Sequence, residues 1–106
     1  MADEDDREQI WKDFDEAVNM TPAELEKWLK TDDSRAVGTG VGHDEGDRIV
    51  RIRHKKKADL TDDDYRHMKK VVGYVHRHLA QNGPADDREH SPWRYSLMNW
   101  GHDPLK

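Results

Sequence analysis

The sequence predicts an all-α fold: one small domain of about five helices around a central amphipathic helix at 61–81. Three observations carry that expectation. The stretch ADLTDDDYRHMKKVVGYVHRHLAQ at 58–81 repeats Tyr65, Met68, Val72, Val75 and Leu79 at steps of three and four, which lines one stripe of a helix. Helix-start signals recur at Thr21-Pro22, Thr61 and Ser91-Pro92. Only 47–57 alternates like a strand, and a lone strand would leave its backbone groups without partners.

In chain order, residues 1–7 are expected to fray. A helix then spans about 5–18, with Ile10, Trp11, Phe14 and Val18 as its apolar stripe. Thr21 at the N-cap, Pro22 at N1 and Glu24 at N3 form a capping box for a second, short helix. Leu25, Trp28 and Leu29 are its inner face. Residues 31–46 hold Gly38, Gly40, Gly42 and Gly46 with little to bury, and predict a mobile loop. No phosphate-cradling pattern accompanies these glycines. Residues 47–57, DRIVRIRHKKK, are assigned to a helix by the absence of a partner strand. In the central helix, Thr61 is the N-cap and Asp62, Asp63 and Asp64 sit where the macrodipole favours acids. Asn82-Gly83-Pro84 ends it. Ser91-Pro92 opens a last short helix with Trp93, Ser96, Leu97 and Trp100 on one face. Gly101 follows as a C′ residue, and 102–106 is a tail.

Composition bounds the function. The chain has 106 residues, 33% hydrophobic and 39% charged, so the core is lean. Four tryptophans supply much of what it can bury. Such a core invites completion by a second copy, and a symmetric homodimer is an expected partner. Cysteine is absent, which removes disulfides and thiolate metal sites. No apolar run is long enough for a membrane span, and the acidic N-terminus carries no secretory signal. The expected location is the cytoplasm.

Net charge is −5 but unevenly placed. Residues 1–33 carry 4 basic and 12 acidic side chains; residues 48–79 carry 10 basic and 4 acidic. On the central helix Arg66, Lys69, Lys70, Gly73, His76 and Arg77 share an arc beside the apolar stripe. Arg48, Arg51, Lys55, Lys56 and Lys57 extend it if the preceding helix packs alongside. These cations, with Gly73 giving a phosphate backbone room to approach, are the candidate nucleic-acid contacts. The competing account is a solvated face whose ion-pair partners come from the acidic N-terminal third.

Three blocks, VNMTPAELEKWL, KKKADLTDDDYRHMKKVVGYVHRHLAQ and WRYSLMNWGHDPLK, occur in that order and cover most of the chain. Together they resemble the bacterial domain-of-unknown-function family DUF3140, whose members are often catalogued as DNA-binding proteins. The resemblance implies a small soluble intracellular protein, no cofactor and nucleic-acid contact.

Other chemistries find no pattern. His76 and His78 fall on different helix faces, and no H-x-x-x-H pair occurs, so no metal site is expected. Asp62, Asp63 and Asp64 lack the calcium-loop spacing. No catalytic signature or small-molecule site is evident. Trp93, Met98 and Trp100 read as core or as a patch for a partner, and His102-Asp103 as a clasp on the last helical turn. The leading expectation is a non-enzymatic accessory protein touching DNA phosphates; the alternative is a protein–protein interaction or structural module.

Overall fold

The computed structural model describes residues 4–37, 41–81 and 83–106. Among these residues the fold is all-α, with no strand. Six helices are seen: α1 (Glu4–Ala17), α2 (Pro22–Leu29), α3 (Asp32–Val37), α4 (Val41–His54), α5 (Asp62–Ala80) and α6 (Pro92–Asn99), with a 3-10 turn at Lys57–Asp59. They pack chiefly in pairs, α1 with α5, α2 with α4 and α3 with α6. α6 also meets α2, α4 and α5, so it joins the pairs at the middle of the molecule.

The predicted caps form. Thr21 Oγ1 accepts from the Glu24 amide at 3.1 Å and the Glu24 carboxylate accepts from the Thr21 amide at 2.9 Å. The same reciprocal box joins Thr61 and Asp64, at 3.2 and 3.0 Å. Ser91 Oγ accepts from the Arg94 amide at 3.2 Å. Gly101, at φ +80°, closes α6: its amide reaches Met98 O at 2.9 Å and the His102 amide reaches Leu97 O at 3.0 Å. These two bonds make a Schellman motif and satisfy carbonyls the helix end leaves free.

Several expectations are corrected. Residues 31–46 are not one loop. Thr31 accepts from the Ser34 amide at 3.2 Å and starts α3, and α4 begins at Val41. The glycines misled because Gly46 lies inside a helix, where its bare Cα permits close packing. Residues 38–40, with Gly38 and Gly40, fall outside the described residues, as do 1–3 of the expected frayed end and Asn82 of the expected cap. Glu4–Arg7 are helical. The 47–57 helix is the second half of α4, which stops at His54.

The core holds Phe14, Val18, Leu25, Leu29, Ile49, Ile52, Met68, Val71, Val75, Leu97 and Trp100. The buried stripe of α5 is rotated from the predicted one. His67 and Val71 are inside, while Val72 and Leu79 are half-buried. The cause is placement: α6 packs on α5, and Glu45 of α4 and Lys55 just after it reach α5, with Glu45 covering the His67 side.

The tail at 102–106 is a clasp: the His102 amide takes up Leu97 O of α6, as expected, and its side chains reach the end of α1 as well. His102 Nδ1 lies 2.7 Å from Ala17 O, and Asn19 and Asp103 exchange two hydrogen bonds at 2.9 and 2.8 Å. Asp103 also takes a two-pronged bond from Arg94, at 3.1 and 3.0 Å. The C-terminus is thereby tied to the α1–α2 turn.

Candidate functional site

The cationic arc of α5 is on the surface: Arg66, Lys69, Lys70, His76 and Arg77 are exposed. Its charge is uneven along the helix. At the N-terminal end Asp62 pairs with Arg7, Asp63 with Arg66 at 2.9 Å, and Asp64 with Lys55 at 2.7 Å. Lys57 pairs with Glu8 of α1 and lies 4.7 Å from the Trp11 ring centre. Arg48 points at Asp63 O, 3.4 Å away. So Arg48, Lys55 and Lys57 turn onto the first turn of α5 and onto α1. Arg51 and Lys56 are exposed and have no side-chain partner among the described residues.

From Lys69 onward the helix differs. Lys69 and Arg77 have no carboxylate partner among the described residues, and Lys70 shares Glu45 at 3.1 Å. Gly73 does not offer an empty approach. A Cβ there would stand 3.3 Å from Arg77 Nη1, so the guanidinium already lies over the glycine. Helical side chains lean towards the N-terminus, so Gly73 lets Arg77 fold back towards Lys69 and Lys70. The three cations share about two exposed turns of α5, whereas Arg48, Lys55, Lys57 and Arg66 are drawn into ion pairs and polar contacts.

Beside this strip is an aromatic stack that periodicity did not single out. Tyr74 lies 4.1 Å from Trp100 and 4.9 Å from His78, near parallel to both. Lys70 Nζ stands 5.9 Å from the Trp100 ring centre. The spacing Lys70, Tyr74, His78 was the available signal, since side chains four apart meet on a helix.

On the other flank an open groove of about 760 Å³ separates α1 from α5, lined by Asp6, Gln9, Ile10, Asp62, Tyr65, Arg66 and Lys69. Among the described residues no three His, Cys, Asp or Glu side chains group as metal ligands. No described helix is long and apolar enough to cross a membrane.

The model of one family, described as protein of unknown function (DUF3140), matches residues 13–98. The chain belongs to that family. No curated protein and no solved structure matches it. The DUF3140 match takes in the whole of α5, hence Lys69, Lys70 and Arg77, and leaves out the first turns of α1 and the C-terminal clasp.

One buried polar pair underlies the strip of this DUF3140 chain. The His67 side chain is 3% exposed, with Nδ1 2.8 Å from Glu45 Oε2. That approach lacks hydrogen-bond alignment, and Nε2 has no partner among the described residues. Burial pushes the His67 pKa below 6.5; Glu45 opposes this, while Arg48 and Lys70 add to it. The neutral ring is thus favoured by folding. The unfolded chain binds more protons below pH 6.5, so this group's contribution is complete above 6.5 and is lost as pH falls towards the folded pKa. Thermal melts at pH 7.5 and 5.5 should show a larger drop for the parent than for His67→Leu. Equal drops would mean that His67 carries no pH dependence.

Proposed function

We propose that this protein is a non-enzymatic cytoplasmic accessory protein that holds DNA by its phosphates through Lys69, Lys70 and Arg77. The supporting observation is that these cations are exposed within about two turns of one helix, with Glu45 the one carboxylate joined to any of them among the described residues. Charges already paired inside the protein release fewer counterions from DNA, so Arg66, Lys55 and Lys57 contribute little. Three contacts on phosphate oxygens position a duplex but read no bases. Binding is then weak and sequence-tolerant. The slope of log K against log salt should be about −2 to −3, at roughly −0.9 per phosphate contact. Fluorescence anisotropy with a labelled duplex, titrated from about 25 to 200 mM salt, measures it. Absence of binding at the lowest salt, by protein shown to be folded, would remove DNA as the partner.

The second reading is an interaction module without nucleic acid. The groove beside α1 favours it, because Ile10 and Tyr65 line it between charged walls.

A further inference from the structure

The face shared by α1 and α5 carries two charged rails. α1 and α5 run in the same direction: Arg7 pairs with Asp62 near both starts, and Trp11 and Phe14 share a small cleft with Met68 further along. At 100° per residue, Asp6, Asp13 and Glu16 fall on the flank of α1 that faces the groove. Gln9 lies among them and donates to Asp13 at 2.9 Å. Across the groove stand Asp62, paired with Arg7, and then Arg66 and Lys69; Arg77 lies two turns further along α5, beyond the groove. Ile10 and Tyr65 lie between the rails.

We propose that this face binds a second copy of the chain, about a two-fold axis parallel to the helix pair. Rotation about such an axis keeps heights along the helices and exchanges left with right, so each copy's acidic rail lies on the other's basic rail. A two-fold axis across the helices would instead set acid on acid. The charge pattern therefore selects one arrangement and is self-complementary in it. Register follows from the Arg7–Asp62 pair. At 1.5 Å per residue, Asp13 and Lys69 stand level to within about one residue's rise. In the dimer Asp13 faces Lys69 of the second copy.

The face is small. Two helices about 20 Å long and about 10 Å wide offer roughly 400 Å² per copy, well below a standard interface. The association is therefore weak, salt-sensitive and populated only at high protein concentration. It covers Lys69, so it excludes a phosphate there. It does not depend on the DNA reading, and nucleic acid takes no part in its test.

Sedimentation of the full chain is run from about 10 to 500 µM in about 20 mM salt. The expected result is a mass rising towards twice the monomer, reversed by added salt. Lys69→Glu and Asp13→Lys should each weaken association by about tenfold or more, since each puts like charges face to face on both seams. Mixing the two variants in equal amounts should restore it, because the mixed dimer has opposite charges on both seams. A monomer mass throughout overturns the proposal, as does association indifferent to both reversals or a mixture that fails to recover.

Discussion

Asn99→Leu is expected to destabilise the protein by roughly 3–9 kcal/mol, the loss for three buried or half-buried polar groups left without partners at 1–3 kcal/mol each. Asn99 is 1% exposed. Its Oδ1 accepts from Trp28 Nε1 at 2.8 Å and from Ser34 Oγ, and its Nδ2 donates to Ser34 O at 3.0 Å. One side chain thus ties α6 to α2 and α3. Leucine keeps the branched shape and removes every bond. A loss of this size is comparable with the whole stability of a small domain. Urea unfolding followed by circular dichroism gives the difference. Adding Ser34→Ala and Trp28→Phe should recover part of it, since fewer donors are then stranded. A variant as stable as the parent would mean that the network contributes nothing.

Gly46→Ala should destabilise, against helix propensity. Alanine in a helix interior is better than glycine by about 1 kcal/mol. Here the added Cβ would stand 2.6 Å from Asn99 O and 2.7 Å from a Leu29 methyl. A backbone carbonyl cannot swing away, so α4 must shift off α6 and α2. Overpacking of this kind costs about 1–3 kcal/mol, and the net sign is a loss. Thermal melts decide it: a raised midpoint would place α4 further from α6 than the structure has it.

The local signals were legible in the sequence, and the tertiary ones were not. Thr21, Thr61 and Ser91 each act on the residue three ahead, so a short window contains the whole interaction. Gly46 shows the opposite case. Its neighbours are Leu29 and Asn99, far away in the chain, so composition read it as a loop residue. Asn99 carries no local signal, because its partners Trp28 and Ser34 lie in other helices. The basic arc was visible as a helical wheel. Which of its charges stay available was not, since that depends on where Glu8, Glu45 and Asp64 end up. The wheel could not separate Lys69 from Lys57; the docking of α1 does.

DNA contact through Lys69, Lys70 and Arg77, and not through the cations near the start of α5, is tested by comparing the two groups directly. DNA affinity is measured against salt for the parent, for Lys69→Gln with Arg77→Gln, and for Lys55→Gln with Lys57→Gln. The first pair should flatten the slope by nearly two contacts, about 1.8 units, while the second should leave it close to the parent's. The reverse order, with the slope lost on changing Lys55 and Lys57 and kept without Lys69 and Arg77, would contradict this assignment.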